Sequence, residues 1–416
     1  MRIAIIGAGI SGLTAAYTLS RRHHVQVFEA AHYAGGHTNT VNVREGKRRL
    51  AVDTGFIVFN RYNYPCFSTL LDALGVGSRP TTMSFSVHCE RSGLEYNGSS
   101  LGQLFAQRRN LLRPGFYEML ADIRRFNATA PGHLEDGLDD SITVAEYARH
   151  EGYGQSFMDY YLLPLGAALW SCDTGRFADF PMRFALEFFD NHRMLQIKGR
   201  PQWLTVEGGS RSYVAPLTEP FRQNIHLERP VTRVSRVARG VVVEFAGGAS
   251  ESFDEVILAT HADTALALVD GPDEVERGIL GHFPYQANDV VLHTDTRLLP
   301  DRRRAWGSWN YRIGAGNGMS TVTYNMNMLQ GLDSERTYCV SLNQTEAIDP
   351  DQVLRRFSYA HPMFVPGRDE AQRRHQELIR RGGISYCGAY WGFGFHEDGV
   401  KSGLAVANAF DMALAA

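Results

Sequence analysis

The set Gly7-Ala-Gly9-Ile10-Ser11-Gly12, followed 22 positions after Gly7 by Glu29, has the residue types and spacing to hold the pyrophosphate and ribose of a dinucleotide. Gly7 permits a tight turn, Gly9 admits a pyrophosphate against bare backbone, and Gly12 lets a helix lie close to a strand. Ile10 and Ser11 occupy the same turn, where a helix N-terminus stabilises phosphate charge. Glu29, with Ala30 beside it, would accept hydrogen bonds from adenosine ribose hydroxyls. Such a site needs a strand, a helix and a second strand in that order. The β-branched run 2–6, the apolar positions Ala15, Ala16 and Leu19 at helical spacing, and the run 25–28 supply them. The motif by itself fits FAD and NAD equally.

The chain of 416 residues exceeds one average domain, so two domains are expected. A net charge of −3, with Lys+Arg 42 against Asp+Glu 45, argues against nucleic acid as a partner. The aromatic residues, Phe 23 and Tyr 18, suit an apolar pocket as well as plain packing. Cys66, Cys89, Cys172, Cys339 and Cys387 contain no CxxC pair and read as reduced, mostly buried thiols, so neither a disulfide frame nor a metal site is expected. The chain opens on a strand of the fold, which argues against a signal peptide. The longest apolar run, 256–269, is broken by His261 and Asp263 and is too short to span a bilayer. A cytoplasmic location is expected, with contact at the periphery of the inner membrane as its variant.

Downstream, Gly35-Gly36-His37-Thr38 forms a turn of small and polar residues, and Asp53-Thr54-Gly55 separates two apolar runs within 50–59. A second glycine pair so soon after Glu29 is superfluous in an NAD fold but useful along an extended flavin cofactor. Together these three segments resemble the amino-terminal signature of the flavin amine oxidase superfamily, which includes protoporphyrinogen oxidases and phytoene-type desaturases. The family's usual arginine after the glycine pair is His37 here, which can still donate a hydrogen bond.

From 64 to 200 the chain shows amphipathic patterns without nucleotide motifs and reads as an inserted, mainly helical domain. A short helix is expected around Leu70, Leu71 and Leu74, a longer one over 105–126 interrupted near Pro114, and a capped start before Glu146. Arg108, Arg109 and Arg113, interleaved with Leu111 and Leu112 and followed by Arg124 and Arg125, read either as a solvated face or as a dock for anionic lipid headgroups. Gly208-Gly209-Ser210-Arg211-Ser212 superficially resembles a nucleophile elbow but lacks the closing glycine, and hydrolase chemistry is set aside. By the family resemblance, Val231 lies against the adenine, and Ala259 and Thr260 end the strand that rejoins the parallel sheet. A second excursion, 281–363, alternates as a sheet with one covered face, and its stretch 314–318 reads as a loop.

The last informative stretch, 383–403, reads as a strand ending at Gly388, a glycine and aromatic loop, and a helix opened by Gly399. A helix N-terminus there can direct amides at the charge that accumulates on a reduced flavin. The stretch resembles the superfamily's carboxy-terminal flavin signature. Gly388 then lies near the pyrophosphate and ribityl chain, Glu397 at the acidic position, Asp398 where glycine is usual, and Val400 at the amide beside a flavin carbonyl. Two motifs about 380 residues apart select FAD over NAD. Met83-Ser-Phe-Ser86, 105–112, Tyr324-Asn-Met-Asn327 and 388–399 resemble, more narrowly, the predicted NAD/FAD-binding proteins encoded beside cyclopropane fatty acid synthases.

The resemblance implies an α/β fold. A Rossmann-like FAD-binding domain of the glutathione-reductase-like, amine oxidase type spans 1–63, 201–280 and 375–416, with an inserted mixed α+β substrate domain spanning 64–200 and 281–374. It implies hydride transfer from a C–H bond to flavin N5. Tyr390 and Trp391 are candidate walls of the reaction site. Amine oxidases of the family place a lysine near N5 on a strand matching 285–293, where this chain has Asn288 and Asp289. Asp289, His293 and His396 are candidate proton-handling groups. The expected reaction is desaturation of an apolar small molecule or lipid, a fatty acyl chain by association. Amine oxidation, a non-redox flavin-dependent fatty acid isomerase and a flavin-bearing accessory protein of a lipid-modifying enzyme are the alternatives.

Overall fold

A computed structural model describes residues 1–196, 198–314 and 321–414. The opening strand Arg2–Ile6 is flanked in parallel by His24–Phe28 and Glu255–Leu258. Ile225–His226 and Ile384–Tyr386 complete a five-stranded sheet whose pairings are all parallel. Side chains alternate along a strand, and here both faces are covered. Ile3 and Ile5 pack in one core with the first helix, Ile10–Leu19, and the last, His396–Asn408. Ala4 and Ile6 pack in the other, against the antiparallel strands Val231–Arg236, Val241–Phe245 and Ser250–Phe253.

First and last helices lie side by side because the contact is built from small residues. A Cβ added at Gly399 would stand 2.7 Å from the Ile10 side chain, and one at Gly403 would stand 2.4 Å from the Ser11 carbonyl oxygen. The two termini are thereby joined at one end of the parallel sheet.

A second, seven-stranded mixed sheet runs in the order Val353–Pro362, Tyr285–His293, Cys339–Leu342, Val322–Asn325, Trp309–Ile313, Phe85–Cys89, Leu94–Asn97. Its last two strands come from the stretch expected to be mainly helical. Phe85–Cys89 pairs in parallel with Trp309–Ile313, so both excursions contribute to one sheet. These strands are short, and they bury Ser86, Glu95 and Asn97. An apolar/polar alternation could not reveal them.

Pro114 does not interrupt a helix. It occupies the first turn of Pro114–Glu135, where its missing N–H has no intrahelical partner to lose. The 3₁₀ turn Arg108–Leu112 precedes it. Thr143 caps Val144–His150 reciprocally: the Glu146 amide donates to Thr143 Oγ1 at 3.2 Å, and the Thr143 amide to the Glu146 carboxylate at 2.9 Å. Of the glycine-spaced stretch 314–318, residues 315–318 lie outside the described residues. Among the described residues all five cysteines are free, and no helix is long and apolar enough to cross a membrane.

Candidate functional site

The first glycine motif has one open position between two closed ones. Gly7 has φ +105°, and an added Cβ there would stand 2.7 Å from the Ala259 carbonyl oxygen. At Gly12 the Cβ would stand 2.1 Å from the Gly7 carbonyl oxygen. At Gly9 a Cβ would meet nothing within 4 Å. Gly36, at φ +57°, comes up against this open position, its added Cβ 3.2 Å from Gly9 Cα, while the Gly35 amide donates to the Ala8 carbonyl at 2.8 Å. The two glycine motifs therefore meet at Gly9. Gly55 secures the arrangement from below: its Cβ would strike the His37 carbonyl oxygen, which accepts the Phe56 amide at 2.8 Å.

Glu29 closes the cradle. Its carboxylate accepts the Ala8 and Ala31 amides, each at 2.8 Å, and each oxygen keeps a lone pair for a ribose hydroxyl. Ala30 is exposed beside it. Val231, half-buried, begins its strand against the same core, and the Thr260 hydroxyl donates to the His261 carbonyl at 3.1 Å.

Three motif residues differ from the expectation. The Asp53 carboxylate accepts the Thr40 hydroxyl at 2.5 Å, the Ser210 amide and hydroxyl at 2.9 Å, and the Gln330 side-chain amide at 2.8 Å. It is a structural hub tying three distant segments together, and its lone pairs are occupied. Burial pushes its pKa up to about 6 against the pull of those donors. Asp53→Ala is expected to lower stability by about 3 kcal/mol, since several buried donors lose their acceptor. A urea midpoint unchanged from wild type would contradict the hub.

Glu397 likewise serves packing: it accepts the Cys66 and Phe67 amides at 3.1 and 2.9 Å, capping the helix Pro65–Ala73. The last helix begins at His396, three residues before the expected Gly399. Val400 is thus its fifth residue, fully buried, with an amide committed to the helix ladder. The amides that an anion could use belong to His396 and Glu397. Asp398 accepts the Phe395 amide at 2.9 Å, and burial raises its pKa to about 6. Gly388 donates its amide to Ser402 Oγ at 2.9 Å, and a Cβ there would overlap the Tyr390 ring.

Where the parallel sheet meets the mixed sheet, rings from both converge on His37. Its centroid lies 4.9 Å from Tyr359, 5.5 Å from His361 and 6.2 Å from His261, which itself stacks on Tyr285 at 4.3 Å. Burial and the neighbouring histidines hold His37 well below the usual histidine range, so it is neutral. Its Nε2 is buried without a hydrogen-bond partner. Burial also lowers His361 to about 4. Asn288 Nδ2 lies 2.9 Å from His361 Nδ1, and Asn288 Oδ1 accepts the Asn343 side-chain amide at 2.7 Å. Thr54 Oγ1 and Asn39 Nδ2 each lie 2.9 Å from the Tyr359 hydroxyl, binding the loop after the glycine pair to the mixed sheet.

The proposed proton-handling groups are not gathered here. Asp289 is exposed, and with Val291 and His293 it takes the face of its strand opposite Asn288. His293 is fully buried in a hydroxyl network, Nε2 2.8 Å from Ser341 Oγ and Nδ1 accepting the Asp295 amide at 3.1 Å. His396 stacks on Phe56 at 3.7 Å and is bonded through Nε2 to the Tyr213 hydroxyl at 2.7 Å and to Thr38 Oγ1 at 3.1 Å. Burial pushes it down to about 3, so it is a neutral peg between the two termini. Tyr390 and Trp391 pack with Phe283, at 5.0 and 5.3 Å, in the core behind the parallel sheet, and Trp391 also stacks on His375 at 4.0 Å. Buried Arg368 fixes that loop by donating to the Tyr390 and Gly392 carbonyls at 3.2 and 3.1 Å. The sequence reading missed His261, Tyr285, Tyr359 and His361. The pairing of Gln286 with His361 and of Asn288 with Tyr359 across two strands is what brings Tyr359 and His361 to His37.

A dinucleotide cradle at one terminus, closed by a helix from the other and bordered by a mixed sheet, is the architecture of an FAD-dependent oxidoreductase. The chain belongs to the family of flavin containing amine oxidoreductases, whose model matches residues 10–410. Its fold is similar to a putrescine oxidase bound to putrescine (16% identity, 99% of each chain, TM-score 0.67) and to a cyclohexylamine oxidase from Brevibacterium oxydans (16% identity, 99% of each chain, TM-score 0.68). It is also similar to a CLA-producing fatty acid isomerase from P. acnes (16% identity, 98% of each chain, TM-score 0.70). Among curated proteins none matches the chain. FAD is the cofactor of this family, and the residues present fit it. Gly9 leaves open the space a pyrophosphate needs, and His37 Nε2 is a buried polar atom lacking a partner.

Proposed function

We propose that this flavin oxidoreductase oxidises an uncharged, apolar substrate, a fatty acyl chain, by desaturation. The observation that carries the reading is the neutral ring cluster at His37, with charge only at its outer rings, where Asp263 acts on His261 and Arg368 on Tyr285. His37 and His361 are neutral, and by the family resemblance Asn288 and Asp289 occupy the segment where amine oxidases have lysine. Of the carboxylates in the motif segments, Asp53, Glu397 and Asp398 are engaged by protein donors, and Glu29 keeps its remaining lone pairs at the ribose end of the cradle. A protonated amine brought here would meet no free carboxylate among them, and burying an unpaired charge is strongly unfavourable. An apolar chain meets no such penalty.

Bound FAD supplies the electron sink, taking two electrons as a hydride equivalent. The chain's residues hold the junction rigid: Asn288 is fixed between His361 and Asn343, and Tyr359 between Thr54 and Asn39. His37 is held neutral well below the usual histidine range and is a poor base, so its partnerless Nε2 is left to hydrogen-bond the cofactor, and the proton lost with the hydride goes to solvent. Packed helices carrying Trp170, Phe184, Phe188 and Phe189 join Phe364, Phe393 and Phe395 in an aromatic cluster, which keeps water out of this half of the molecule. Anaerobic mixing of the yellow protein with acyl lipids is expected to bleach the flavin. Bleaching by amines and not by lipids would overturn the proposal.

A further inference from the structure

We propose that the segment Leu101 to Tyr117, with the arginines of 302–304, is a docking surface for an anionic lipid bilayer. Eight large apolar side chains are exposed among the described residues, and four of them lie in this segment: Leu101 at 77%, Leu111 at 50%, Leu112 at 86% and Tyr117 at 46%. Concentration in one surface region separates them from the single apolar residues scattered over any protein surface. Leu111 and Leu112 end the 3₁₀ turn Arg108–Leu112, and Leu101 begins the short helix Leu101–Leu104.

The turn Arg303–Ala305 packs against that short helix, and the Arg304 guanidinium lies 3.6 Å from where a Cβ of Gly102 would be. Arg304 therefore lies beside the helix that Leu101 begins, and Arg108 and Arg109 share their turn with Leu111 and Leu112. Arg108, Arg109, Arg303 and Arg304 are exposed, and among the described residues no carboxylate forms an ion pair with any of them or with Arg113. Arg302 is paired, to Glu95 at 3.1 Å, and Glu118 and Asp301 are the exposed acids of the region. Arg109 and Arg113 also donate to the Gly93 and Ser92 carbonyls, which holds the basic side of the surface in place.

Leucines projecting among unpaired guanidinium groups match the acyl boundary and the anionic headgroups of a bilayer surface. The charge balance selects the occupant. A second copy of this near-neutral chain would bring the same arginines against these, whereas phosphatidylglycerol headgroups neutralise them.

The test is flotation of the flavin-loaded protein with vesicles of phosphatidylcholine, with and without phosphatidylglycerol. Binding is expected only to the phosphatidylglycerol vesicles, weakened by high salt. Arg108→Gln and Arg109→Gln should each weaken it about fivefold. Leu111→Ser combined with Leu112→Ser should weaken it at least about tenfold. Full flavin content confirms that each variant is folded. Wild-type protein that stays unbound, or a leucine variant that floats like wild type, would overturn the surface. So would a concentration-dependent dimer that Leu112→Ser abolishes. Flotation is read without any turnover, so its result stands apart from the substrate proposal.

Discussion

Gly9→Val is expected to give a folded, colourless protein, whereas Gly12→Val is expected not to fold. The two glycines are three positions apart in one motif, yet they do different things. Gly9 has φ −77° and ψ 179°, a conformation any residue adopts, and a Cβ there meets nothing within 4 Å. The apoprotein should tolerate the valine. The new side chain would fill the space that a pyrophosphate needs, lowering FAD affinity by roughly 5- to 150-fold through overpacking of about 1–3 kcal/mol. At Gly12 a Cβ would sit 2.1 Å from the Gly7 carbonyl oxygen and 2.9 Å from Ala259 Cβ. Both obstacles are rigid, so helix and sheet must separate, with a loss above about 4 kcal/mol. Flavin content after purification, measured beside circular dichroism and a melting curve, distinguishes the two. Full flavin in Gly9→Val would refute the placement of the phosphate at this position.

Acid is expected to unfold the protein steeply between pH 6.5 and about 4. Burial lowers His192, His293, His361 and His375 to about 4 and His396 to about 3. Across that window the unfolded chain binds protons that the native state refuses, so stability is present above pH 6.5 and is lost as pH falls. Each histidine withdraws roughly 3 kcal/mol once the pH is below its native value. Asp53 and Asp398, both raised to about 6, act in the opposite direction, since their native forms hold a proton that the unfolded chain releases. Two carboxyls with smaller shifts do not offset five histidines. Denaturant midpoints measured at half-unit pH intervals should fall with an uptake of several protons. A flat profile from pH 6.5 to 4.5 would show that these imidazoles are not buried and neutral.

The parts of the site legible in the sequence are those set by local backbone. Gly7, Gly9 and Gly12 announce a strand-to-helix turn because their spacing follows the local backbone, with Gly7 at φ +105°, Gly9 open and Gly12 against the Gly7 carbonyl oxygen, and Glu29 follows at the end of the second strand. The parallel sheet was legible for the same reason. The short strands Phe85–Cys89 and Leu94–Asn97 were not, because they bury polar side chains whose hydrogen-bond partners lie elsewhere in the chain. Asp53 shows the same limit at a single residue. Its motif marks it as important, but only the fold shows that it is surrounded by Thr40, Ser210 and Gln330, contributed from 13, 157 and 277 residues away.

By itself the sequence determined the dinucleotide cradle, the flavin family and the meeting of the two termini, since glycines permit backbone approaches that every other residue forbids. The tertiary structure alone decided which polar side chains face the junction. One residue of offset on the strand Tyr285–His293 turns Asp289 and His293 away and Asn288 inward. Cross-strand pairing then gathers Tyr359 and His361 against His37, from positions more than 300 residues away.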